Sequence, residues 1–170
     1  MAEHKILIAG GGTGGHLYPA LAIGEEIHNR EPDAKIHYVG SNFGLEAKVF
    51  PVKDVWHTLL PIRGFQRGIS LQSLGRNSLL PVRIIRSMLK IRSLMKEFLP
   101  QVVVGTGGYA SALPLYMASK KNNPLPIILQ EQNSYPGITT RWFANKAKTC
   151  LLYTSPSPRD ATLSGIPGSG

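Results

Sequence analysis

The 170-residue chain has a single cysteine, Cys150, so it forms no internal disulfide and offers no cysteine cluster for zinc. Long apolar runs are missing too. The amino-terminal run ends at Ala9, and nothing reaches the roughly 18 apolar residues of a spanning helix. Together these absences read as a non-spanning protein of a reducing, cytoplasmic compartment. Acidic residues are scarce, ten against nineteen Lys and Arg, and the net charge of +9 favours anionic partners: nucleic acid, an acidic membrane surface or phosphorylated substrates. Aromatics make up only 8%, with no strand of stacking aromatics and no helix-turn-helix spacing, which speaks against nucleic acid.

What is present is an alternation. Short apolar runs at 5–9, 35–39, 57–60, 101–104, 126–129 and 149–153 read as strands, and segments of helical period at 19–29, 45–50, 79–98, 112–120 and 138–146 read as helices. This predicts an α/β fold, a Rossmann-like doubly wound parallel sheet covered on both faces. In such sheets ligands bind beyond the carboxyl ends of the strands, so the glycine-rich or polar loops at 10–16, 105–111 and 131–137 should line one crevice. From Thr154 to the end, Pro, Gly and Ser dominate, and residues 154–170 read as an irregular or disordered tail after a domain at 1–153.

The first loop, Gly10-Gly11-Gly12-Thr13-Gly14-Gly15-His16, lets backbone N–H groups approach a phosphate or sugar at the positive end of a helix. Gly10, Gly12 and Gly15 satisfy the dinucleotide pattern, but the second strand ends in Gly40-Ser41, with no acid to hold a ribose hydroxyl. No Gly-Lys-Ser/Thr follows either, which removes the Walker pattern. A merely tight turn is the bland alternative. His16, at the loop-to-helix junction, suits a group that orients a sugar hydroxyl or accepts its proton, and equally a helix-start histidine bonding local backbone. Glu131 stands between a catalytic carboxylate and one locked in a local network. Asn133 and Tyr135 stand between ligand contacts and the shaping of the Pro136-Gly137 turn.

Gly11-Gly12-Thr13-Gly14-Gly15-His16 with Pro19-Ala20-Leu21-Ala22, then Gly105-Thr106-Gly107-Gly108-Tyr109-Ala110-Ser111, then Glu131-Gln132-Asn133-Ser134-Tyr135-Pro136-Gly137 together resemble the amino-terminal half of the MurG family. The resemblance runs from about Lys5 to Tyr153. It implies the amino-terminal domain of a two-domain GT-B glycosyltransferase that needs no metal or other cofactor. It further implies an inverting transfer of N-acetylglucosamine from UDP-GlcNAc to lipid I, giving lipid II at the cytoplasmic face of the bacterial plasma membrane. His16 and Glu131 match catalytic positions; Thr13, Gly14, Gly15 and Asn133 match donor contacts. Gly107, Gly108, Tyr109 and Ser111 match the second loop, which serves the acceptor pyrophosphate. The carboxyl-terminal donor domain is absent from the sequence, so this chain alone is expected to be inactive, and Ser155-Pro156-Ser157-Pro158-Arg159-Asp160 departs from the family as a truncated gene model would.

Between Leu79 and Phe98 the residues Ile84, Met88, Ile91, Met95 and Phe98 form an apolar stripe, with Arg83, Arg86 and Lys90 on another face. The plain reading is a core helix with a solvated basic side. The functional one is docking on anionic lipid through Leu79, Leu80, Arg83 and Arg86, helped by the loop at 63–67. Two other functions remain open: a related glycosyltransferase half with a different acceptor, and a non-catalytic subunit that binds anionic membrane as one piece of a split enzyme.

Overall fold

The computed structural model describes residues 4–62, 80–120 and 124–152. The expectations for Leu79, the loop at 63–67 and the tail at 154–170 lie outside the described residues. Six strands form one parallel sheet: β1 (Lys5–Gly10), β2 (Lys35–Ser41), β3 (His57–Leu60), β4 (Val102–Gly107), β5 (Ile127–Glu131) and β6 (Thr149–Leu152). Their order across the sheet is β3-β2-β1-β4-β5-β6, the doubly wound arrangement in which the chain reverses direction between β1 and β4.

Side-chain alternation along the strands builds two cores. Leu7 and Ala9 of β1 face one side, and Ile6 and Ile8 face the other. The first side is covered by α3 (Leu80–Phe98), α4 (Tyr109–Ala118) and α5 (Ile138–Phe143), through Ile91, Leu94, Phe98, Leu115 and Phe143. The second is covered by α1 (Gly14–Arg30) and α2 (Glu46–Val52), through Leu17, Ala20 and Phe50.

Two helices begin earlier than the sequence suggests. Expected at 19 and 112, α1 starts at Gly14 and α4 at Tyr109, so Pro19 and Pro114 lie inside helices rather than in their first turns. Both helices spring directly from a glycine loop, and tertiary packing outweighs the backbone hydrogen bond that each proline forfeits. The segment expected as helix to 146 ends at Phe143 and tightens into a 3-10 turn, Ala144–Lys146.

Candidate functional site

The loops that follow β1, β4 and β5 meet at the carboxyl edge of three adjacent strands. The first is held from beneath. Glu46, fully buried near the start of α2, accepts hydrogen bonds from the Gly12 amide at 2.8 Å and the Ser41 amide at 2.9 Å through one carboxylate oxygen. Its other oxygen accepts from Gly12 at 3.1 Å. Two of the loop's amides therefore point inward, since Gly11 also donates to the Gly107 carbonyl at 3.4 Å. Sequence reasoning missed Glu46. It is the first acid after β2, five residues too late to serve a ribose, and it serves loop amides instead.

The outward-facing donors are those of the first turn of α1. Thr13 occupies the N-cap with extended backbone, yet its hydroxyl makes no capping bond, and no acidic residue lies in that turn. A capping side chain normally satisfies one of the amides there. Among the described residues, the Gly14 and Gly15 amides have no partner, so the positive end of the helix is left open.

His16 sits where the three loops converge. Its Nδ1 lies 2.9 Å from the Thr106 carbonyl oxygen and 2.9 Å from Nε2 of Gln132. Buried Thr106 returns the contact, its hydroxyl donating to the His16 carbonyl at 2.7 Å. The ring fits because of two glycines with left-handed backbone: a Cβ on Gly107 (φ +97°) would stand 2.7 Å from Nδ1, and one on Gly108 (φ +77°) 2.0 Å from the Gly11 carbonyl oxygen. Only glycine meets both demands at these positions. Nε2 of His16 has no protein partner among the described residues and is not buried.

The third loop is organised by Glu131, only 1% exposed. One oxygen accepts from the Asn133 amide at 3.2 Å and its side-chain Nδ2 at 2.7 Å; the other accepts from the Gly137 amide at 2.9 Å and the Thr140 hydroxyl at 2.8 Å. Burial pushes the carboxyl pKa up, but these four donors prevail and hold it below the ordinary carboxylate value.

The structure thus brings together Thr13, Gly14, Gly15, His16, Gly107, Gly108, Glu131 and Asn133, with the Tyr109 ring beside Gly12. Within that set Glu131 is enclosed by its own loop. Ser111 is fully buried and donates to the Gly108 carbonyl at 2.8 Å, so it braces the turn. Asn133 is exposed, and exposed Tyr135 receives an Arg141 donor at 2.9 Å on its hydroxyl. The proposed membrane residues lie apart, on α3. Leu80 is half-buried, Arg83 lies 5.4 Å over the Phe43 ring, and Arg86 is exposed. The apolar groups that α3 does expose are Val82, Ile85 and Leu89, at spacing i, i+3, i+7, which the sequence reading did not single out. No helix among the described residues is long and apolar enough to cross a membrane.

The chain matches the model of the glycosyltransferase family 28 N-terminal domain over residues 6–152. It is 41% identical over 154 residues to the UDP-N-acetylglucosamine--N-acetylmuramyl-(pentapeptide) pyrophosphoryl-undecaprenol N-acetylglucosamine transferase of Flavobacterium psychrophilum, covering 90% of this chain and 40% of that protein. The Chlorobaculum tepidum protein of the same name is 43% identical over 143 residues, covering 84% of this chain and 39% of the relative. A crystal structure of Acinetobacter baumannii MurG shares the fold with a TM-score of 0.68 at 21% identity, covering 91% of this chain and 42% of that one. The chain therefore spans about 40% of the length of the curated relatives it matches. With the glycine loops, the sheet order and the family match in agreement, the chain belongs to glycosyltransferase family 28 through that family's N-terminal domain.

Proposed function

We propose that this chain is the acceptor-side half of an inverting glycosyltransferase that moves N-acetylglucosamine from UDP-GlcNAc to lipid I, forming lipid II at the cytoplasmic face of the plasma membrane. The names of its relatives support the reaction. The observation that carries the reading is the uncapped, glycine-only start of α1 beside His16, where an open helix end and an open imidazole nitrogen share one crevice. Anionic oxygens of a diphosphate suit the first, and a sugar hydroxyl suits the second.

In the transfer, His16 Nε2 takes the proton of the acceptor hydroxyl as its oxygen bonds to the anomeric carbon. The bond to the UDP oxygen breaks on the opposite face, inverting the centre through an oxocarbenium-like transition state. The Gly14 and Gly15 amides and the helix dipole stabilise diphosphate charge. Asn133 presents a polar edge to the donor sugar. Glu131 and Ser111 act as positioning residues, the first by fixing the Asn133 turn and the second by bracing Gly108. Gly107 and Gly108 open the space for the ring. The α3 face carrying Val82, Ile85 and Leu89 with Arg83 and Arg86 rests on anionic lipid, where the acceptor is anchored.

The test joins this chain to the carboxyl-terminal portion of the Flavobacterium relative and measures transfer of radiolabelled N-acetylglucosamine to a lipid I analogue. Turnover is expected from the joined protein and not from this chain alone, and His16→Ala should lower kcat roughly 100- to 10,000-fold. A well-folded chimera that binds neither substrate overturns the proposal.

A further inference from the structure

We propose that Gln132 turns its side-chain carbonyl toward His16 and so fixes the imidazole in the tautomer protonated on Nδ1, leaving a lone pair on Nε2 at the crevice. The inference rests on the reading of His16 as the base, and it assigns Gln132 as a positioning residue. Two observations carry it. Nδ1 is 2.9 Å from both the Thr106 carbonyl oxygen and Gln132 Nε2, and Gln132 Oε1 is buried with no hydrogen-bond partner among the described residues.

One ring nitrogen cannot satisfy both neighbours in that orientation. If Nδ1 carries a proton, it donates to Thr106 but meets the donor N–H₂ of Gln132. If it carries a lone pair, it accepts from Gln132 but meets the lone pairs of the Thr106 carbonyl. In either case the orphaned Oε1 remains, at the expense of an unmade buried hydrogen bond. The two ends of a glutamine amide have nearly the same shape, so the hydrogen-bond network decides which way it points. Rotating the amide by half a turn places Oε1 on Nδ1 and removes the clash at the ring, leaving one N–H shared between the Thr106 and Gln132 carbonyls, and moves the Gln132 N–H₂ to the buried position that Oε1 held. The Thr106 carbonyl belongs to β4 and cannot exchange donor for acceptor, so it sets the sense of the whole arrangement. The groups placed against the ring are Thr106 and Gly107 at the end of β4, Gly108 after it and Gln132 after β5, all uncharged. Neutral acceptors therefore select the tautomer without placing a fixed negative charge beside the base.

The experiment reads the ¹⁵N shifts of both His16 nitrogens in the full chain, without substrate, for the wild type, Gln132→Glu and Gln132→Met. Folding of each is checked by circular dichroism. Expected in the wild type is that the neutral form of the ring carries its proton on Nδ1. Gln132→Glu, which can only accept, should keep that tautomer and raise the ring's titration midpoint by about one unit or more. Gln132→Met should raise the fraction protonated on Nε2, as only the Thr106 carbonyl remains. In the joined transferase the acidic limb of the kcat pH profile should move with the ring midpoint in Gln132→Glu, a shift that a purely structural role does not produce. A wild-type ring protonated mainly on Nε2, or a tautomer ratio and midpoint unmoved by both substitutions, overturns the proposal. Loss of transferase function with the Nδ1-protonated ring intact would instead count against the proposed reaction alone.

Discussion

Glu46 shows how a buried charge can be spent on architecture. Its carboxylate gathers amides from the ends of two neighbouring strands, so Glu46→Ala leaves the buried Ser41 donor and the part-buried Gly12 donor without their acceptor. Such a loss costs on the order of 2–3 kcal/mol, which a urea titration will resolve. Glu26→Ala is the control. That exposed acid pairs with Arg30 one helical turn away, a contact worth under about 0.5 kcal/mol, and its removal should leave the urea midpoint almost unchanged. Gly107→Ala tests the other support of the site. A methyl group 2.7 Å from His16 Nδ1, on backbone at φ +97°, must displace the ring and carry strain of roughly 1–3 kcal/mol. The expected outcome is a broadened or shifted His16 resonance together with a lowered melting temperature, and an unchanged spectrum would refute the assigned fit. The pairings around His16 were not legible in the sequence. His16 meets Thr106 across 90 positions and Gln132 across 116, and no local pattern encodes such a distance.

At the scale of elements, the strands were readable because each is a short apolar run, most of them with a glycine or proline at one end, and the loop positions followed from them. The starts of α1 and α4 were hidden by Pro19 and Pro114, whose local preference for a first turn is real but weaker than the packing of the preceding turn. A different elemental feature predicts pH dependence. His37 of β2 is 3% exposed, packs against Trp56 and Phe98, and bonds the Thr58 hydroxyl of β3 at 2.8 Å. It lines a cavity of about 650 Å³ at the edge of the sheet opposite the candidate site. Burial, with repulsion from His57 added, pushes its pKa down to about 4. The folded chain therefore keeps this ring neutral while the unfolded chain protonates it below about pH 6.5. Its contribution to stability is full above pH 6.5 and declines with acid until about pH 4, with a slope of at most about 1.4 kcal/mol per pH unit. Urea midpoints measured across that window should fall in the wild type and stay flatter in His37→Phe. Glu131 adds a loss of the same sign lower down: its depressed carboxyl stabilises the fold above the ordinary carboxylate value, and that stability goes as pH falls through its folded value. The variant should keep this second decline.

For the whole molecule, the excess of positive charge and the amphipathic α3 raise the question of which surface meets lipid. The sequence reading placed the lipid contact at Leu79, Leu80, Arg83 and Arg86, whereas the apolar groups that the described part of α3 exposes are Val82, Ile85 and Leu89. The core-facing stripe through Ile84, Ile91 and Phe98 was plain from its period, whereas Val82, Ile85 and Leu89 stand out only once the sheet shows which face it covers. Two forces would then act on one helix, and they separate experimentally. Reversing Arg83 and Arg86 to Glu removes two favourable charges worth about 1 kcal/mol each, so affinity for phosphatidylglycerol vesicles should drop at least about thirtyfold at low salt. Raising the salt should shrink the gap between wild type and variant, as charges beyond a Debye length are screened. Ile85→Ser with Leu89→Ser should weaken binding by an amount that salt leaves unchanged, because it removes buried apolar area rather than charge. Co-sedimentation at two ionic strengths reads both effects. Equal pelleting of the wild type and both variants would place the lipid-facing surface somewhere other than α3.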